Sequence, residues 1–123
     1  VPYARLMDAF EKRLATAGRV LRHEAALKTR ESAQFWAEAY PALDYRHGPL
    51  SISQKGRTVW VFGEIPSDLI NDIRETEALL EISTLDPLAH LIVAQRVALE
   101  IARKRGLNAD NPRGLSRSII LNK

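Results

Sequence analysis

The 123-residue chain is long enough to bury one core and too short for two, so a single domain over residues 1–123 is expected. With 46% hydrophobic and 27% charged residues it is neither a disordered nor a fibrous chain, and no apolar run approaches the roughly eighteen residues of a membrane span. The absence of cysteine excludes disulfides, thiol catalysis and thiolate metal sites, and it fits a reducing cytoplasm.

Pro2 to Ala17 places Leu6, Met7, Phe10, Leu14 and Ala17 at helical spacing, with Gly18 as terminator, and predicts an amphipathic helix. A second helix is expected from about Leu21 to Glu38, closed by Pro41. Pro41 to Lys55 shows no sustained period and reads as a loop carrying Tyr45, Arg46 and His47. Thr58–Phe62, a β-branched and aromatic run between Gly56 and Gly63, predicts a strand buried on both faces, as in a parallel sheet.

A surface helix follows over Pro66–Thr76 and a strand over Ala78–Ile82, giving the strand, helix, strand unit of an α/β fold. Asp86 then Pro87 reads as an N-cap with proline at the first helical position, and Gly106 supplies the stop. That last helix is apolar on most of its circumference, which predicts either a central core helix or one covered by another subunit or domain. Leu107 to Lys123 is a tail with turn residues in NADNPRG and polar donors Ser116, Arg117 and Ser118, which suggest a capped loop or an anion contact.

A net charge of +3 invites a nucleic-acid reading, but the one compact basic run, Arg103 to Arg105, ends a helix where cations meet the negative end of its dipole. No nucleic-acid or membrane partner is expected. His23, His47 and His90 fall in no metal-ligand spacing, so no metal site is expected, and GxGxxG and P-loop patterns are absent, so no nucleotide cofactor is implied. Val1 is not an initiator methionine and the opening lacks a signal-peptide pattern, so the chain reads as a fragment or processed segment.

The chemistry-bearing residues lie on the second helix and the loop after it. Glu24, Lys28 and Glu31 are four and three residues apart, so a helix places all three on one face. A carboxylate, an ammonium and the imidazole of His47 together can move protons. The same spacing also makes an ordinary surface ion pair of Glu24 and Lys28, contributing roughly 0.2–0.5 kcal/mol. Spacing alone leaves both readings open.

Four segments, EAALKTRE, AEAY, HGPL and NPRGLSRS, occur in the order and approximate spacing of sugar isomerase (SIS) domains. Over roughly Arg22 to Ser118 the chain resembles the C-terminal SIS half of the isomerase part of the glucosamine-fructose-6-phosphate aminotransferase family and related phosphosugar isomerases and deaminases. The resemblance implies a doubly wound, three-layer α/β/α sandwich with a mainly parallel sheet, incomplete here, and a homodimer. It implies a hexose or amino-sugar 6-phosphate as ligand and proton transfer between C1 and C2 as the reaction, with no cofactor. A non-catalytic phosphosugar sensor is the alternative within the same resemblance.

Residue by residue, the resemblance makes Glu31 the proton-shuttling base, Lys28 the lysine beside it, whose ammonium would stabilise the negative charge of the intermediate, and His47 the ring-opening histidine, which in the aminotransferase reaches a neighbouring subunit's site. Ser116 and Arg117 fall in the tail, Leu107 to Lys123, that closes over the sugar. Three departures accompany the match. Arg117 stands where the aminotransferase has lysine, and a guanidinium can neither accept a proton nor form an imine. The Ser/Thr-rich phosphate loops belong to an N-terminal SIS half that this chain does not contain. A strand and glycine loop of about a dozen residues between the family's first two helices have no counterpart between Leu21 and Arg22.

Overall fold

The structure is a computed structural model, and it describes residues 20–115. The helix expected over Pro2–Ala17 and the tail residues Ser116 and Arg117 lie outside the described residues. Helix α1 occupies residues 20–33. A short helix α2, Ala42–Tyr45, and a 3-10 turn at Pro49–Ile52 lead into β1, Thr58–Trp60. Helix α3, Ser67–Glu75, crosses to β2, Leu79–Glu81, and α4, Pro87–Lys104, follows.

The two strands are hydrogen-bonded in parallel, with Thr58 opposite Leu79, Val59 opposite Leu80 and Trp60 opposite Glu81. Main-chain bonds from Leu79 to the Arg57 carbonyl (2.8 Å) and from Val61 to the Glu81 carbonyl (2.9 Å) extend the ladder at both ends. Parallel strands need a crossover connection, and α3 supplies it by burying Leu69 and Ile73, each at most 2% exposed. The expected α/β class and parallel pairing are therefore present, in a sheet of two strands among the described residues. β1 is shorter than the run Thr58–Phe62 and is half-buried, not buried on both faces. With one neighbouring strand among the described residues, the β-branched run has less to pack against than a central strand would.

Helix α1 is five residues shorter than expected. Gln34 takes the left-handed conformation (φ 48°), which ends the helix, and the Phe35 N–H turns back to the Thr29 carbonyl at 3.4 Å. Arg30 and Arg105 then satisfy carbonyls past the helix end: Arg30 Nη1 donates to Ala37 O at 2.6 Å and Arg105 Nη1 to Gln34 O at 3.0 Å. The Arg105 bond joins the C-terminal end of α4 to that of α1, and its guanidinium also lies 5.9 Å from the Phe35 ring centre.

Helix α4 has the expected ends. Asp86 Oδ1 accepts from the Leu88 N–H at 2.9 Å, Pro87 is the first helical residue, and Gly106 adopts φ 69° just past the last turn. Asp86→Ala removes that acceptor and is expected to lower stability by about 1 kcal/mol, read from the denaturant midpoint. The buried stripe of α4 is His90, Ala94, Ala98 and Ala102, at i, i+4, i+8 and i+12. Small side chains let this stripe approach the rest of the fold, while Leu88, Ile92 and Leu99 stay more than half exposed. Among the described residues α4 is therefore a flanking helix with an open apolar side, not a central core helix.

Candidate functional site

Glu24, Lys28 and Glu31 share one face of α1, as the spacing requires. Lys28 Nζ lies 3.1 Å from Glu31 Oε2 and 3.8 Å from Glu24 Oε1, so the ammonium is bound mainly to Glu31. The hydrogen bond to Glu31 raises the Lys28 pKa above that of an ordinary lysine, with burial opposing it and the charges of Glu31 and Glu24 adding to it. Because the folded-state pKa is raised, the stabilisation is complete below the ordinary lysine pKa and is lost as pH rises through the folded value. The Lys28 side chain is 41% exposed, and solvent screening keeps the effect below about 1 kcal/mol. The melting temperature of the wild type is thus expected to fall slightly faster than that of Lys28→Met above about pH 10.4, the ordinary lysine pKa.

Glu31 also borders an open hollow of about 400 Å³, lined by Leu27, Arg30, Gln34, Phe35, Trp36, Arg113 and Leu115. The early end of α1 builds it. Had the helix run on to Glu38, Phe35 and Trp36 would have continued its surface. The left-handed turn at Gln34 instead swings the two aromatic side chains out beside Glu31, Phe35 half exposed and Trp36 81% exposed. The hollow thus joins one carboxylate, two guanidinium groups and an apolar wall, within the size range of small-molecule sites.

His47 is not part of this arrangement. Its side chain is exposed, its main-chain N–H donates to the Asp44 carbonyl at 3.0 Å, and no hydrogen bond or ion pair joins its imidazole to Glu31 or Lys28. The turn that carries it is nevertheless anchored. Neighbouring Arg46 bridges Asp68 (2.9 Å) and Asp72 (3.0 Å) of α3, which raises the Arg46 pKa and lowers that of Asp68. Tyr45 and Ser53 share a hydroxyl hydrogen bond across the same loop.

A third histidine occupies the C-terminal end of the sheet. His90 is 2% exposed, accepts a hydrogen bond from Trp60 Nε1 at 2.8 Å, and packs 4.9 Å from the Phe62 ring, itself stacked parallel to Trp60. Ligands of open α/β sheets enter at such strand ends. Here a buried, hydrogen-bonded imidazole closes the position, so it serves packing. Among the described residues no group of three His, Cys, Asp or Glu is arranged to hold a metal ion, and no helix is long and apolar enough to cross a membrane.

Arg113, Arg30 and Gln34 are the polar residues of the hollow that sequence reasoning passed over. Arg113 lies within the NPRGLSRS segment, three residues before the first tail residue singled out, so its signal was the turn chemistry of Asn, Pro and Gly around it. Gln34 had none: a glutamine at a left-handed helix end is not what sequence preferences anticipate.

No family model matches the chain. Curated proteins do. An isomerizing glutamine–fructose-6-phosphate aminotransferase from Tropheryma whipplei is 29% identical over 138 aligned residues, covering 85% of this chain and 22% of that protein. The enzyme of the same name from Sulfolobus acidocaldarius is 31% identical, with 80% of this chain and 20% of that protein covered. Among solved structures, glucosamine-6-phosphate deaminase from Thermotoga maritima superposes with a TM-score of 0.69 at 25% identity, over 80% of this chain and 36% of that one. The chain is related to the SIS-type phosphosugar isomerases.

The SIS-type chain spans about a fifth of the length of the curated relatives it matches. Its alignment with the Tropheryma enzyme covers 138 positions, more than the whole 123-residue chain, so the relative carries residues with no counterpart here. The two-stranded sheet and the open face of α4 have the same character: an SIS-type fold that is incomplete among the described residues.

Proposed function

We propose that the chain is the C-terminal SIS half of an enzyme that transfers a proton between C1 and C2 of a hexose 6-phosphate or amino-sugar 6-phosphate, as an isomerase, isomerising aminotransferase or deaminase. The observation that carries this reading is Glu31, partly exposed, held by Lys28 and bordering the hollow at the end of α1. A carboxylate there can take a proton from one carbon and return it to the next. The relatives' names concern fructose 6-phosphate and glucosamine 6-phosphate, ligands that differ at these same carbons.

In this reading residues 1–123 form one SIS-like unit, and an N-terminal half supplies the phosphate loops and covers Leu88, Ile92 and Leu99 of α4. A homodimer in the cytoplasm brings His47 to the partner's site, in keeping with its exposed position on a turn braced against α3. Ser116 and Arg117 belong to the tail that closes over the sugar. Glu24, 3.8 Å from Lys28, orients the ammonium.

The test is to incubate the full-length protein with fructose 6-phosphate in heavy water and follow deuterium at C1 and C2 by NMR. Exchange at both carbons is the expected result. Tight binding without exchange would instead mean a phosphosugar sensor. Robust turnover by residues 1–123 alone would overturn the account of a half-site that depends on an N-terminal half.

A further inference from the structure

We propose that Arg113 is a catalytic residue that receives the negative charge of the enediolate formed beside Glu31; the assignment rests on the proton-transfer reading above. Three cations lie near Glu31. Lys28 is bound to Glu31 itself at 3.1 Å and to Glu24 at 3.8 Å, so its charge acts on the base. Arg30 gives Nη1 to the Ala37 carbonyl at 2.6 Å. Arg113 lines the same hollow as Glu31, and among the described residues its guanidinium makes no hydrogen bond or ion pair.

Its backbone is held in place by a closed turn. The Asn111 N–H reaches the Asn108 carbonyl at 3.2 Å, the Asp110 N–H reaches Asn108 Oδ1 at 2.9 Å, and the Leu115 N–H reaches the Pro112 carbonyl at 3.2 Å. Gly114 permits that last closure with φ 78°. The result is an exposed guanidinium carried on a braced turn, with no hydrogen-bond or ion-pair partner among the described residues, on the wall of a hollow that contains the base.

The chemistry requires such a group. When Glu31 takes the proton from C2 of an aldose, the C–H electron pair becomes the C1–C2 double bond and the carbonyl pair moves onto O1. The proton then returns to C1, while the O2 hydroxyl proton passes to O1 and C2 becomes the carbonyl. Two adjacent oxygens in one plane share the charge of the intermediate, and a planar guanidinium donates to both at once. Lysine, a point charge, meets them less well.

The experiment uses the full-length protein, the heavy-water exchange of fructose 6-phosphate, and the hydroxamate of a pentonic acid 5-phosphate as a planar mimic of the enediolate. For Arg113→Gln we expect exchange slower by about 10²–10³-fold and hydroxamate affinity weaker by a similar factor, with fructose 6-phosphate affinity nearly unchanged. Arg113→Lys should recover part of both. It also serves if the glutamine variant fails to fold, since it should still lose at least about tenfold in each.

Equal weakening of substrate and hydroxamate would make Arg113 a ground-state binding residue and overturn the assignment. Wild-type exchange in Arg113→Gln, with Glu31→Gln inactive, would overturn the assignment and leave the proton-transfer reading standing. No exchange in the wild type would overturn both.

Discussion

Glu31→Gln in the full-length protein is expected to slow deuterium exchange at C1 and C2 of fructose 6-phosphate by about 10²–10⁴-fold while leaving sugar-phosphate affinity essentially unchanged. The substitution keeps the size and shape of the side chain and removes only the ability to accept a proton. It also breaks the Lys28 ion pair, but Lys28 and Glu31 are 41% and 26% exposed, so the stability loss stays within about 1 kcal/mol. Fold and activity are therefore separable in this variant. Unchanged exchange would remove Glu31 from the chemistry, whatever the relatives do.

The largest effect on stability is expected at His90. Replacing it by alanine opens a cavity between Trp60 and Phe62 and leaves the Trp60 indole N–H without its acceptor 2.8 Å away. The two losses together are expected to lower unfolding free energy by about 2–4 kcal/mol, measured by denaturant titration. Trp60→Phe keeps most of the packing and removes one hydrogen bond from His90 Nε2, which still has Glu81 Oε1 3.5 Å away, so about 0.5–1.5 kcal/mol is expected. A double variant should cost less than the two single effects added, because each removes the same bond. Full additivity would mean that the Trp60–His90 hydrogen bond contributes nothing to the fold.

The contrast between His90 and His47 marks where sequence reading succeeds. Neither residue type nor local spacing separates the two imidazoles. His90 occupies the first turn of a helix whose caps, Asp86 and Gly106, were plain in the sequence, yet its burial depends on Trp60 of β1 and Phe62 just after it, about thirty residues earlier in the chain. His47 was assigned through a motif in a loop. The fold leaves it exposed and apart from Glu31, and its turn is fixed by Arg46 reaching α3, a contact no local pattern encodes.

The same division holds at the site. The face shared by Glu24, Lys28 and Glu31 follows from helical periodicity alone, and the structure reproduces it. The hollow does not follow from periodicity. It needs the helix to end at Gln34 in a left-handed conformation against glutamine's own preference, and it needs the NPRG turn to bring Arg113 alongside. Tertiary partners satisfy both ends of that arrangement, with Arg105 of α4 holding the Gln34 carbonyl.

By itself the sequence determined the α/β class, the parallel strand, helix, strand unit, the caps of α4, the one-sided Glu24, Lys28, Glu31 triplet and the SIS resemblance. Each of these is written in local periodicity, turn chemistry or motif order. Only the tertiary structure decided where α1 ends, that β1 is half-buried, that α4 keeps an open apolar side, and that Arg113 lines the hollow beside Glu31. Those outcomes depend on contacts between segments far apart in the chain, where the packing of one element sets the conformation of another.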